Sequence, residues 1–455
     1  MKKKPVWRKL INDLHLWLGI GSGLVLFVVC LSGTIYTFHT EIEEFIESDK
    51  FNVNVPANAV AISPDVLVAT LEKELKGKVV SLEIPQDPAK PYRLGVAQAN
   101  AGEEKGAGRS REGGREGQGK GNVEARSGRE AGTEGGAVAA KGKDAEAKAQ
   151  GAAGGRGRGG RPTTYLVDQY TGTVKGTTET AASAFFLGTM KLHRWLLIEA
   201  EPGAINPGRV IVGSATIIFV FLLLSGLVMW FPLKIKNWKQ GFKVKMSGNW
   251  KRTNHDLHNT LGFYSLPLLL VMSLTGLCWS FEWYKDGASV VLGEEIFKGR
   301  REKPLPSDPA TATGAQPTIV AFLQKADALL PYEGNTRISL PADSTGSVVI
   351  NKSKAGFFAL AASDKVQLNQ YTAAVLQVDK FSDKPLNAQI AGSIKPLHLG
   401  DIYGTFSKIL YFIACLVATS LPVTGVIIWI NKLKKKPKNK QRSFKPRTMA
   451  SSIGS

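Results

Sequence analysis

The chain has 455 residues, 43% of them hydrophobic, and a formal charge of +20, but only six histidines and three cysteines. Basicity on this scale suits a binder of nucleic acid or another anionic polymer when it lies on one folded face. Here it is divided: residues 1–14, 232–259 and 432–455 hold five, seven and nine Lys or Arg against only Asp13 and Asp256. That distribution argues against nucleic acid as a partner, and the lack of any Cys-x-x-Cys-His excludes a c-type haem.

In chain order, residues 1–39 comprise a basic start and a first apolar run, 14–38. It is too long and too Gly-punctuated for a cleaved signal peptide and has no Ala-x-Ala site after it, so it is expected to be retained. Three similar runs follow at 210–231, 261–281 and 409–430, each long enough to cross ~30 Å of hydrocarbon as a helix. The three basic segments then place both termini and the middle loop in the cytoplasm by the positive-inside rule. Residues 40–205 and 282–397 face outside. Cys30, Cys278 and Cys415 all fall within the runs, so the exterior segments carry no disulfide.

The first exterior domain, 40–185, opens a helix at Ser63 and Pro64, with a capping hydroxyl and a proline at the first helical position. Strand-like runs follow at 79–84, 92–96 and 164–167, and Asp168-Gln169-Tyr170-Thr171-Gly172 is turn chemistry. Residues 97–161 are a Gly/Ala/Arg/Glu/Lys tract with almost no large apolar side chain. This composition cannot offset its ordering entropy, which predicts a disordered insertion in a hairpin loop. An interfacial segment and second span (186–232), a basic loop (233–256) and a third span (257–284) come next. The second exterior domain, 285–394, repeats the pattern, with a helix from Pro317 to Leu330 and strands at 337–340, 347–350 and 357–361. One helix on one antiparallel sheet is expected in each domain. A fourth span (395–431) and a basic tail (432–455) complete the chain.

The chain repeats itself. Shifted by 243, Leu14, His15, Leu18, Gly19, Ser22, Leu26, Leu31, Gly33 and Phe38 match Leu257, His258, Leu261, Gly262, Ser265, Leu269, Leu274, Gly276 and Phe281, with Ser32 opposite Thr275. Further on, Asp168 to Val174 lies over Asn369 to Val375, His193 over His398, and Ser225, Gly226 and Trp230 over Thr424, Gly425 and Trp429. The expected fold is membrane α-helical: four transmembrane helices as two parallel repeats of two, each repeat carrying an exterior α/β domain.

Four of the six histidines, His15, His193, His258 and His398, follow a leucine at the end of an apolar run. An imidazole is costly in lipid and tends to have a partner inside the bundle, and paired imidazoles hold b-type haem iron. Gly at i+4 and Ser at i+7 from His15 and His258 make a small-residue stripe beside each ring, suited to a flat macrocycle or to close helix packing. Topology pairs His15 with His258 on the inner side and His193 with His398 on the outer side, giving two haem b groups, with Arg8, Lys9, Arg194 and Lys395 as propionate partners. His255, one turn before His258, is a competing inner ligand or a solvated residue. His39 is a candidate for substrate contact or proton relay. Gly19 to Gly23 has no βαβ context, so a dinucleotide site is not expected.

The run Tyr165 to Val174 resembles the strand-turn-strand signature of PepSY domains. Together with His15 to Gly33, Leu192 to Trp195, Leu257 to Gly262 and Leu397 to Gly404, it makes the chain similar to the PepSY-associated transmembrane family of the bacterial inner membrane. Ala373 and Ala374 stand where the first domain has Gly172 and Thr173, so the second domain departs from the signature. The resemblance, closest to iron-regulated members, implies an oxidoreductase that passes electrons from a cytoplasmic reductase or quinol to a ferric siderophore or other ferric chelate. Two other classes stay open: a haem-free PepSY sensor or accessory protein that binds a ligand or inhibits a peptidase, and, less favoured for want of an intramembrane carboxylate, a transporter.

Overall fold

The computed structural model describes residues 6–98, 162–232, 235–298, 302–312 and 314–434. Most of the low-complexity tract and most of the basic tail therefore lie outside the described residues. Among the described residues, four helices are long and apolar enough to cross a membrane: Val6–Tyr36, Pro207–Trp230, Trp250–Ser280 and Gly404–Leu433, here the first to fourth spans. Each packs on two others, so that they close a ring in the order first, second, third, fourth. Small residues make this possible. The first span buries Ser22, Gly23 and Ser32, and the fourth buries Ser407, Ala414 and Ala418. Their hydroxyls are returned to the helix, as when Ser22 donates to the Leu18 carbonyl at 2.7 Å. Leu223, Leu269, Ala414 and Ala418 fill the middle of the bundle.

The spans begin earlier than hydropathy suggests. Asn249 caps the third by accepting from the Arg252 amide, so its helix takes up the end of the segment expected as loop 233–256. The fourth starts nine residues later than residue 395. Gly400, at φ +85°, ends a separate short helix, Ile394–Leu399, and a Cβ there would lie 2.5 Å from Tyr411.

Beyond the sheet end of the bundle stands an α/β unit. β1 (Gly77–Ile84), β2 (Tyr92–Gln98), β3 (Thr163–Val167) and β4 (Val174–Thr177) form one meander, and β5 (Asn335–Ser339), β6 (Ser347–Ser353), β7 (Ser363–Asn369) and β8 (Val375–Asp379) form another. Two separate sheets were expected, but the described strands form one, in the order β4-β3-β2-β1-β5-β6-β7-β8. Each meander alone would expose the edge of its first strand. Antiparallel pairing of Ser81 with Ser339, Leu82 with Ile338 and Glu83 with Arg337 removes both edges. The helices Pro64–Leu75 and Ile319–Leu329 cover one face over a shared core of Leu71, Leu82, Leu94, Phe322, Ile338 and Ile350. The carboxylate of Asp65 accepts from the amides of Ile319 and Val320 at 2.6 and 3.2 Å, so a residue of the first half caps the helix of the second.

Residues 357–361, expected as a strand, form a loop whose Leu360 makes an isolated bridge to Tyr403 beside the fourth span. The strand is β7, a few residues later. Despite its departure from the signature, the second turn matches the first. Asp168 Oδ1 accepts from the amides of Tyr170 and Thr171, Asn369 Oδ1 accepts from those of Tyr371 and Thr372, and Ala373 takes φ +54° where Gly172 has +75°.

Candidate functional site

The four histidines lie at two levels of the bundle. His15 of the first span and His258 of the third line one cavity of about 1180 Å³ at the basic end, between all four spans. His193 and His398 meet at the sheet end, with ring centroids 6.3 Å apart. Neither is on a span: His193 is in the helix Ser183–Trp195 and His398 in Ile394–Leu399. Each rests against a span near its sheet end. His15 and Gly33 are 18 residues apart on one helix, as are His258 and Gly276. The two levels are thus separated by about 27 Å of helical rise, nearly the thickness of a hydrocarbon core.

Every one of the four imidazoles is seated on a Ser-Gly or Thr-Gly step of another helix. His15 Nδ1 is 2.8 Å from Ser225 Oγ. That hydroxyl donates to the Leu222 carbonyl, so it accepts from the ring. His258 Nδ1 is 2.8 Å from Thr424 Oγ1, which donates to the Ser420 carbonyl. At the other level His193 Nδ1 donates to the Val29 carbonyl and His398 Nδ1 to the Met272 carbonyl, both at 2.9 Å, with Ser32 and Thr275 hydroxyls at 3.4 and 3.3 Å. A nitrogen that donates carries the proton. All four rings are therefore held as the Nδ1–H tautomer, which leaves the Nε2 lone pair for a metal.

The adjacent glycines make the approach possible. A Cβ on Gly33 would lie 3.1 Å from His193 Cε1 and one on Gly276 2.9 Å from His398 Cε1, whereas at Gly226 and Gly425 the gap is 3.5 Å. The sheet-end seats thus require glycine more strictly than the basic-end ones. The 6.3 Å between the ring centroids of His193 and His398 also matches two metal–nitrogen bonds of about 2 Å plus about 1 Å to each ring centre. Trp279 stands 5.3 Å from His398 and Phe297 a further 4.8 Å on.

The other candidates fall outside these pairs. His39 stacks on Tyr36 at 4.0 Å. Its Nδ1 donates to the Tyr36 carbonyl and its Nε2 is 3.3 Å from the Thr40 hydroxyl, so both nitrogens are engaged. His255 lines the basic-end cavity but is 62% exposed and lies 3.6 Å from Asp256. Arg8 lines the same cavity, and its Nη2 donates to the Met229 and Phe231 carbonyls at 2.7 and 2.6 Å, capping the second span. Lys9 lines the cavity mouth, Arg194 stacks over Trp195, and Lys395 is exposed.

The model of the PepSY-associated TM region matches residues 13–432, nearly the entire chain. The chain belongs to this family. No curated protein matches it. The matched region of this PepSY-associated TM protein takes in all four histidines and their seats. The Ser/Thr-Gly step was legible in the sequence, since it recurs as Ser32-Gly33, Ser225-Gly226, Thr275-Gly276 and Thr424-Gly425, always after Leu or Val. Only the packing revealed that each copy serves a histidine of another helix.

Proposed function

We propose that this protein is a di-haem b electron conduit of the bacterial inner membrane that reduces a periplasmic ferric chelate, a ferric siderophore above all. The observation that carries the proposal is the seating of the histidines: two levels, each with two imidazoles whose Nδ1–H is fixed and whose Nε2 is left to ligate. His15 and His258 would hold one haem and His193 and His398 the other. The pair would supply one-electron Fe(III)/Fe(II) couples on the two sides of the membrane, fed by a cytoplasmic reductase or quinol. In this reading the two halves are parallel repeats, the basic segments lie in the cytoplasm, and the α/β unit is a pair of PepSY domains in the periplasm.

The chain's own groups would do the rest. Ser225, Thr424 and the carbonyls of Val29 and Met272 orient the rings and raise their basicity. The plug of Leu223, Leu269, Ala414 and Ala418 keeps water from the space between the levels. In the sheet, Arg93 and Arg337 alternate with the buried Leu94 and Ile338, so they point away from the covering helices. Glu44, from the helix His39–Ile46 that follows the first span, reaches Arg93 on this face at 3.0 Å, so the face turns toward the bundle. Its exposed Arg337 suits an anionic oxygen-rich chelate. Reduction of the substrate iron to Fe(II) lowers its charge density and weakens its bonds to hard oxygen ligands, which frees the metal. The resemblance to iron-regulated relatives such as the ferric-siderophore reductase FoxB favours this acceptor.

A pyridine haemochrome assay on the purified protein is expected to approach two haems per chain. A value near zero from folded protein would overturn the proposal and leave the PepSY sensor class. Chemically reduced protein should be reoxidised anaerobically by ferric siderophores, and more slowly after His398→Ala. If no ferric chelate speeds reoxidation, the acceptor is wrong even though a conduit survives.

A further inference from the structure

The loop 354–362 between β6 and β7 leaves the sheet and comes down on the start of the fourth span. The Ala361 amide donates to the Ile402 carbonyl at 2.9 Å, and the Phe406 amide donates to the Phe357 carbonyl at 3.0 Å. Close approach is secured by Gly404, at φ +59°, where a Cβ would lie 2.6 Å from the Gly356 carbonyl oxygen. The chain invests specific backbone contacts in holding this loop at the sheet end of a span.

What the loop presents there is apolar. Phe357 and Phe358 are 51% and 66% exposed, and their rings cluster with that of Phe406 at 6.2 and 5.0 Å. Phe406 in turn heads a helical stripe of outward residues on the fourth span, Ile409, Leu410, Ile413 and Leu416, each at least 40% exposed. The opposite face, Ser407, Tyr411, Ala414 and Ala418, is buried in the bundle. The stripe recurs every three to four residues and faces away from the other spans, where lipid lies in a membrane protein. Phe357 and Phe358 prolong that stripe past the helix end, toward the headgroup/acyl boundary where Phe and other apolar side chains of surface-bound segments are buried.

We propose that loop 354–362 is a membrane anchor, its two phenylalanines inserted among the lipids of the sheet-side leaflet beside the fourth span. The occupant is lipid, and not a second protein, because the patch is continuous with the lipid-facing surface of the span. The anchor ties the second half of the eight-stranded sheet to the bilayer and so sets its height above His193 and His398. In the first half the corresponding loop, between β2 and β3, is the one that contains residues 99–161. The inference rests on the membrane reading alone and is independent of any haem.

The test is spin-label accessibility in nanodiscs of phosphatidylethanolamine and phosphatidylglycerol, with Cys30, Cys278 and Cys415 replaced and a nitroxide at Phe358→Cys. Collision with oxygen is expected to exceed collision with a water-soluble nickel chelate several-fold, with the reverse ratio at the exposed strand position Lys78→Cys. A water-like ratio at residue 358 would overturn the proposal. Shielding from both relaxants would overturn it in favour of a protein contact. Should that variant misfold, Phe358→Trp in the unlabelled chain gives the same decision: quenching by brominated lipid above that of the parent supports insertion, and equal quenching refutes it.

Discussion

Ser225 and Thr424 lie one helix away from His15 and His258, and each offers a lone pair to a buried ring N–H because its own proton is committed to a backbone carbonyl. Ser225→Ala therefore strands a donor inside the bundle, at a cost of about 1–3 kcal/mol. Loss of such a partner weakens metal ligation by about 10–100-fold. If the protein binds the two haems proposed, potentiometric titration should show the one at the basic end shifted or depleted while the other is unchanged, and Ser225→Thr should restore it. At the sheet end the sensitive atom is a missing one. Gly276→Ala places a methyl 2.9 Å from His398 Cε1 and is expected to displace the ring and perturb the spectrum of the haem proposed at that level, whereas Gly425→Ala, at 3.5 Å, is tolerated. By the same geometry His15→Ala and His258→Ala should remove one spectral component, and His193→Ala and His398→Ala the other. Loss of one shared component from His15→Ala and His398→Ala would refute the pairing.

Among the elements, the central strands β1 and β5 and the two helices above them join the halves into one unit. Leu82 and Ile338 are fully buried, face each other across the junction and belong to one core. Leu82→Ala should cost about 2–5 kcal/mol and speed hydrogen exchange in β6 as well as β2. If only β2 lost protection, the halves would be independent. Asp65 makes the same link by a different interaction, since its carboxylate caps the helix Ile319–Leu329. Asp65→Ala is expected to lower stability by about 1 kcal/mol, with Asp65→Asn losing less because an amide oxygen still accepts. The unfolding midpoint of the solubilised protein reads both.

At the scale of the whole molecule, residues 103–160 fall between two strands that are paired with each other. The strands β2 and β3 on either side of that tract pair in full register from Tyr92 with Val167 to Val96 with Thr163. Deleting 103–160 should leave haem content and unfolding temperature unchanged. Loss of haem would mean that the tract contributes to the fold, and loss of chelate reduction alone would make it part of the acceptor site.

Hydropathy and charge by themselves determined the four spans and their division from the α/β halves, because twenty apolar residues in a row have few other stable settings. The internal match singled out His15, His193, His258 and His398 and set Asn369 opposite Asp168, whose turn was legible from its own chemistry. Three things waited for the tertiary structure. Edge pairing of β1 with β5 depends on two strands some 250 positions apart, and strand propensity is silent about partners at that range. The placing of 357–361 as a loop followed from its hydrogen bonds to the fourth span, which outweigh the local preference of Phe and Ala for regular structure. The seats of the histidines were printed four times in the sequence as Ser-Gly or Thr-Gly. Their role became visible only when helix packing brought each one against an imidazole that lies more than 120 residues away along the chain.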